Sequence, residues 1–147
     1  MDFRPDIFVV DPERLRRFIV VDTRADGTEP PAVVSRLKEY MAHSNYPIGQ
    51  LVTPNRFRMF RQSFDPFAPE AVEEIANFST DRVLELPAAD LSESDFENLF
   101  QRWLERLQAR NIQVPSDLRA VIEENLLPYL GSSEIQAAHP REHTVAT

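Results

Sequence analysis

The sequence contains no cysteine, three glycines and a single lysine among its 147 residues. The absence of cysteine excludes disulfide bonds and thiolate metal sites. Three glycines are too few for a glycine-rich phosphate-binding loop, and no G-x-S-x-G segment occurs, so nothing indicates a nucleophilic hydrolase. Because no apolar run approaches the roughly 18 residues of a membrane-spanning helix, and no secretory leader begins the sequence, we expect a cytoplasmic protein without membrane contact.

Positive charge is also scarce in this sequence. The 16 Lys and Arg residues against 24 Asp and Glu residues give a formal net charge of -8. A nucleic-acid-binding surface generally needs clustered Lys and Arg, so this balance disfavours one. The arginines concentrate between residues 4 and 61, however, and a local basic patch there is compatible with the sequence. At this length we expect one domain with its own hydrophobic core.

The N-terminal stretch, residues 4–24, reads as two strands joined by a turn. Two apolar runs, residues 7–10 and 18–21, flank a charged segment that contains a turn signal. Asp6 begins the first strand, and Asp22 ends the second. If the strands pair antiparallel, both carboxylates lie at the same end of the sheet.

Two converging carboxylates suit a divalent metal ion. Mg²⁺ takes oxygen ligands and is commonly held by one or two carboxylates together with water. The alternative is that Asp6 and Asp22 only mark a turn and a strand end, where Asp is common.

The next segments predict a crossover connection. Apolar residues recur at three-to-four spacing in residues 33–41, which predicts a helix, and the short apolar run within 46–54 predicts a buried strand. A strand, a helix and a strand in succession indicate a parallel pair. The alternating segment that follows predicts another strand, whose arginines either contact a phosphate backbone or protect a sheet edge: Arg56, Arg58 and Arg61.

The C-terminal part of the sequence predicts helices. We expect a helix at residues 70–78, a second at 92–110 with a cap formed by Ser94 and Glu97, and a third at 116–130. The second helix carries a bulky aromatic stripe that must be covered, either by this domain or by a partner.

The sequence from Ser132 onward reads as a disordered tail, because it consists mostly of short polar residues. It contains His139 and His143, whose spacing suits a metal site on a helix. Pro140 lies between them, so we do not expect a metal there.

These features together resemble the PD-(D/E)XK nuclease superfamily, which has the restriction-endonuclease-like fold. In that family the first acid follows a proline, and the second opens an (Asp/Glu)-x-Lys triplet at a strand end. Here Pro5-Asp6 and Asp22-Thr23-Arg24 occupy those places, with arginine instead of lysine. The predicted helix, the Leu-Val-Thr-Pro segment at 51–54 and the arginine-rich strand are similar to nuclease domains related to type I restriction subunits.

The resemblance implies an α/β fold, a trimmed restriction-endonuclease-like mixed sheet with a crossover helix, followed by a C-terminal helical hairpin. We expect one domain at residues 1–131, with a nuclease-like core at 1–64, a mostly helical extension at 65–131 and the tail at 132–147. Family members carry a helix and a strand before the first acid, whereas this sequence starts a few residues ahead of Asp6. The resemblance therefore implies a trimmed sheet, or a sheet that another subunit completes.

The resemblance also implies metal-dependent chemistry. Asp6 and Asp22, with the Thr23 carbonyl, would hold Mg²⁺ or Mn²⁺, and metal-activated water would attack a phosphodiester. Arg24 stays protonated at any working pH, so it can stabilise phosphate charge but cannot act as a base. Lys38, on the predicted crossover helix, is either a displaced catalytic lysine or a solvated flank residue.

Two functions follow as expectations. The first is a divergent metal-dependent nuclease that acts on nucleic-acid phosphodiesters, with DNA as the candidate substrate. The alternative is a catalytically inactive protein of this fold that serves as an assembly subunit. In that case the helices at 92–110 and 116–130 would bind a partner subunit or a second copy of the chain.

Overall fold

The computed structural model describes residues 5–11, 13, 16–62, 71–84, 90–131 and 133–137. The strands in these ranges are β1 (Ile7–Asp11), β2 (Arg16–Thr23), β3 (Ile48–Val52), β4 (Arg56–Gln62), β5 (Val72–Ser79) and β6 (Glu134–Ala137). The α-helices are α1 (Pro31–Ser44), α2 (Glu93–Gln108), α3 (Ser116–Asn125) and α4 (Leu127–Leu130). None of the described helices combines the length and the apolar character needed to cross a membrane.

The strands form one mixed sheet in the order β5-β4-β3-β2-β1-β6. β2 and β3 run parallel, with α1 as the connection between them, and the other neighbouring pairs are antiparallel. This arrangement confirms the predicted α/β class, the N-terminal hairpin and the crossover helix. α1 begins at Pro31, where the missing N–H of proline removes no helical hydrogen bond.

Helices cover both faces of the sheet. Successive residues of a strand point to opposite faces, and those of β2 and β3 accordingly fall into two apolar clusters. Val20 and Leu51 pack in one cluster with Leu37 of α1. Their neighbours Val21 and Val52 pack in the other cluster with the C-terminal helices. The sheet is therefore the middle layer between α1 on one side and α2, α3 and α4 on the other.

The aromatic stripe of α2 is covered by this chain's own sheet. Phe96, Phe100 and Trp103 are buried. The ring centroids of Phe100 and Trp103 lie 6.1 Å and 5.7 Å from that of Phe57 on β4. Of the two ways to cover the stripe, the structure therefore uses the domain itself.

Two helix boundaries differ from their predictions. α2 is capped by Ser92, whose hydroxyl accepts the N–H of Asp95 at 3.1 Å, and not by Ser94. The helix predicted at 116–130 is divided into α3 and α4. Pro128 lies at the start of α4 and has no N–H with which to continue the hydrogen bonds of α3.

The helix predicted at residues 70–78 is wrong, because the chain forms the strand β5 from Val72 onward. β5 pairs antiparallel with β4, and a bulge leaves Ile75 without a partner between Glu74 and Ala76. The bulge shifts the alternation by one residue, so the apolar residues of this strand have helix-like spacing. Pairing with the edge of β4 outweighs the local preference for helix.

The disorder predicted from Ser132 is wrong for the part of the tail that the structure describes. The strand β6 pairs antiparallel with β1, with Ile135 opposite Val9. Ile135 also packs against the core. This packing could not be predicted from the sequence, because Ile135 is a single apolar residue in a polar segment. His139 and His143 lie outside the described residues.

The substitution Gly49→Ala tests the packing of β3 against α1. A Cβ at this position would collide with the Sδ atom of Met41, whose side chain is fully buried. We expect the unfolding free energy to fall by about 1–3 kcal/mol in urea denaturation, because the methionine must move out of a packed core. In a Met41→Ala background the same substitution should cost much less. Equal losses in the two backgrounds would contradict this packing.

Candidate functional site

The pairing of β1 with β2 brings Asp6 next to Asp22. Ile7 lies opposite Val21 in this antiparallel pair, and the Asp6 N–H donates to the Val21 carbonyl at 2.8 Å. The start of β1 and the end of β2 therefore meet at one end of the sheet, as the sequence predicts.

The Asp6 carboxylate is held in place by Thr23. Its Oδ2 atom accepts the backbone N–H of Thr23 at 2.7 Å and the Thr23 hydroxyl at 3.0 Å. Hydrogen bonds to an ionised carboxylate are roughly twice as strong as those between neutral groups. Because Thr23 is buried and paired with Val52 on β3, the sheet itself sets the orientation of Asp6.

The Asp22 side chain is buried, and the residue is only 6% exposed. Its pKa is raised to about 8, first by burial, then by the negative charge of Asp6 and by a hydrogen bond between the two side chains. Two adjacent carboxylates cannot both ionise without strong repulsion. Near neutral pH Asp22 is therefore mostly protonated and donates to Asp6, so the pair shares one proton.

Glu93, the first residue of α2, also lies near this pair. Its Oε1 atom accepts the N–H of Ala25 at 2.9 Å, which joins α2 to the loop after β2. Burial raises the pKa of Glu93, and the negative charges of Asp6 and Asp26 add to that effect. The sequence marks Glu93 only as an acid in a first helical turn, because its contact with the distant Ala25 depends on tertiary packing.

Arg24, at the position where the resemblance would place a lysine, is held by the loop that follows β2. Its Nε atom donates to the Thr28 carbonyl at 2.9 Å, and its Nη2 atom donates to the Thr28 hydroxyl at 2.9 Å. The positive charge of Arg24 lowers the pKa of Asp22, against the larger effects of burial and of Asp6. The guanidinium therefore acts on the acid pair through its charge.

Lys38 lies apart from the acid pair. Its Nζ atom is 5.9 Å from the centroid of the Phe60 ring on β4. Phe60 on β4 is opposite Gly49 on β3, and Gly49 is opposite Val20 on β2. The Phe60 ring is therefore two strands away from β2. It lies level with Val20 and not with Asp22. A cation over an aromatic face is stabilising in its own right. This position favours the structural interpretation of Lys38, and its catalytic role stays a prediction.

Arg58 of β4 stabilises the fold through ion pairs. Its guanidinium binds Glu74 on β5 at 2.7 Å and Glu29, in the loop before α1, at 3.1 Å. With both acids bound and 17% of its side chain exposed, Arg58 is not available to a phosphate backbone. The prediction of phosphate contacts is therefore left to Arg56 and Arg61, which are exposed.

The acid pair fits a metal site of the kind that keeps water ligands. Within the described ranges, no group of three or more acid, histidine or cysteine side chains is arranged to hold a metal ion. Mg²⁺ is commonly held in proteins by one or two carboxylates with water and phosphate oxygens. The raised pKa of Asp22 means that its anion is unfavourable beside Asp6, and a bound cation would offset that repulsion.

No family model, curated protein or solved structure matches the chain. The resemblance to the PD-(D/E)XK superfamily therefore depends on the residues at this end of the sheet and on the order of the elements around them. The role of the Thr23 carbonyl as a metal ligand stays a prediction on the same basis.

The shared proton predicts that stability falls as pH rises. The pKa of Asp22 is about 8 in the folded protein against an ordinary value of 3.8, so the folded state keeps a proton that the unfolded chain has lost. This stabilisation is complete below about pH 4 and is lost as pH rises to about 8. Over that range the unfolding free energy falls by at most about 1.4 kcal/mol per pH unit. Urea unfolding of the wild type between about pH 5 and 8 should show the decline, and Asp22→Asn should flatten it.

The matched control for this measurement is Glu39→Gln, which changes an exposed acid on α1 and should keep the wild-type slope. The shared proton is contradicted if wild type and Asp22→Asn lose stability in parallel over the same pH range.

Proposed function

We propose that the protein is a divergent metal-dependent nuclease that acts on nucleic-acid phosphodiesters. One observation carries the proposal: the register of β1 with β2 places the buried Asp22 beside Asp6 at the end of β2. In open α/β sheets, ligands bind outside the carboxyl ends of the strands, and this pair lies at the carboxyl end of β2. The substrate phosphate would therefore approach the sheet at this end.

Each residue at this end has a separate task in the proposal. Asp6 and Asp22 would hold Mg²⁺ or Mn²⁺, with the Thr23 carbonyl as a further ligand. When bound, the metal supplies a nucleophilic water and neutralises phosphate charge. Asp22 would have to release its proton to solvent before it could be a ligand, while the Thr23 N–H keeps Asp6 oriented. Arg24 stays charged and stabilises the anionic phosphate.

A second candidate function is a catalytically inactive assembly subunit of the same fold. The contacts of two cations favour it. Arg24 is hydrogen-bonded to Thr28. Lys38, the one lysine of the sequence, lies over the Phe60 ring. No other lysine exists to act at Asp22. Because the aromatic stripe of α2 is covered internally, a partner would have to bind the exposed faces of the C-terminal helices.

Calorimetric titration with Mn²⁺ or Mg²⁺ near pH 8 tests the acid pair. We expect the wild type to bind one ion. Asp6→Asn and Asp22→Asn should each weaken metal binding by about tenfold or more. Mutation of a residue that only hydrogen-bonds to a metal ligand already causes a loss of that size. Glu39→Gln should bind as the wild type does. The nuclease proposal fails if the wild type binds neither ion.

Nicking of supercoiled plasmid in Mg²⁺ distinguishes the two candidate functions. The wild type should produce nicked circles, and Asp22→Asn should not. Arg24→Lys restores the family's triplet and should raise the rate by roughly tenfold or more, because lysine can position or activate water. Lys38→Ala distinguishes the two interpretations of Lys38, because a lost rate indicates a catalytic lysine and an unchanged rate a structural one. Metal binding without nicking, in both the wild type and Arg24→Lys, would favour the assembly subunit.

A further inference from the structure

A pocket of ≈ 380 Å³ lies where β2 begins, α1 ends and α4 packs against the sheet. Small-molecule sites commonly have volumes of about 300–1,000 Å³. Arg16, Arg17, Phe18 and Tyr129 line the pocket. Asp22 is five residues beyond Arg17 on β2, which places the acid pair about 17 Å away. The pocket is therefore separate from the candidate metal site.

The two aromatic side chains of the pocket offer a stacking surface. The pairing of β1 with β2 skips Phe18, between Arg17 and Ile19, so Phe18 lies at a bulge. Its ring centroid is 5.4 Å from that of Tyr129, with 31° between the ring planes. Both side chains are half-buried, and both line the cavity. Aromatic rings placed in this way accept a planar ring of a ligand.

The two arginines bring positive charge to the same cavity. Arg17 is exposed, and its Nη1 atom donates to the Ser44 carbonyl at the end of α1 at 3.2 Å, which holds the guanidinium at the rim. Because a guanidinium has five N–H donors, most of them stay available to a ligand. Arg16 is also exposed, and it lies opposite Asp11 on β1. Although the whole chain has a net charge of -8, the two guanidinium groups make the rim locally positive and attractive to an anion.

We propose that this pocket binds a nucleoside phosphate, with the base stacked on Phe18 and Tyr129 and the phosphate held by Arg16 and Arg17. Arginine binds phosphate oxygens through paired hydrogen bonds, and an aromatic ring stacks with any base. A free nucleotide and the phosphorylated end of a strand share this chemistry. The proposal does not depend on the nuclease function, because the acid pair takes no part in it.

Calorimetric titration of the full chain with AMP, adenosine and inorganic phosphate tests the pocket. AMP should bind more tightly than either fragment. The double variant Arg16→Ala/Arg17→Ala should lose about tenfold or more in AMP affinity, as expected for hydrogen bonds to a charged group, and should keep its affinity for adenosine. Tyr129→Leu should weaken the binding of both AMP and adenosine.

Two further variants serve as controls. Arg102→Ala removes an exposed arginine of α2 outside the pocket, and Asp22→Asn changes the acid pair. Both should bind AMP as the wild type does. Thermal unfolding checks that the arginine double variant keeps its fold, which we expect because both side chains are exposed. If Tyr129→Leu does not fold, the arginine pair decides the test by itself.

The source of the phosphate is identified with an oligonucleotide that carries a 5′-phosphate. Tighter binding than AMP identifies the end of a strand, equal binding identifies the free nucleotide, and both results support the proposal. Inorganic phosphate that binds as tightly as AMP would reduce the pocket to an anion site and overturn the proposal. An AMP affinity that does not change in the arginine double variant would overturn it as well.

Discussion

The antiparallel pairing of β1 with β2, in the register that sets Ile7 opposite Val21, is the contact on which the molecule depends. It joins β6 on one side of the sheet to β3 on the other. A shift of one residue would turn the side chains of β1 to the opposite face and remove them from their clusters. The same register places Asp6 beside Asp22. One strand pairing therefore sets both the core and the candidate site.

The electrostatics of this end of the sheet explain why two functions fit the same residues. A buried acid beside a second acid is unfavourable without a proton or a cation between them, which is typical of a ligand site. Thr23 orients one of the acids, as a metal site requires. The cation whose charge acts on Asp22, Arg24, is engaged with its own loop and cannot exchange a proton. The acids are thus what the nuclease proposal requires, and the engaged arginine is what the assembly-subunit proposal requires.

Local patterns in the sequence were enough to predict the first half of the fold. The hairpin, α1 and β3 carry their own periodicity and turn residues, and the meeting of Asp6 with Asp22 followed from antiparallel pairing alone. The strand β5 could not be predicted, because the bulge at Ile75 gives its apolar residues a helical spacing. Glu93 and β6 were missed for another reason, since each makes its decisive contact with a segment that is distant along the chain.

The pairing of β6 with β1 has a consequence for how the protein is made. During translation β1 leaves the ribosome long before β6 exists, so the nascent hairpin has one unpaired edge for most of its synthesis. An open strand edge is a template for association with other chains. A strand that is synthesised late therefore protects one that is synthesised early. Any event that stops translation before residue 134 releases a chain whose hairpin edge is still open to aggregation.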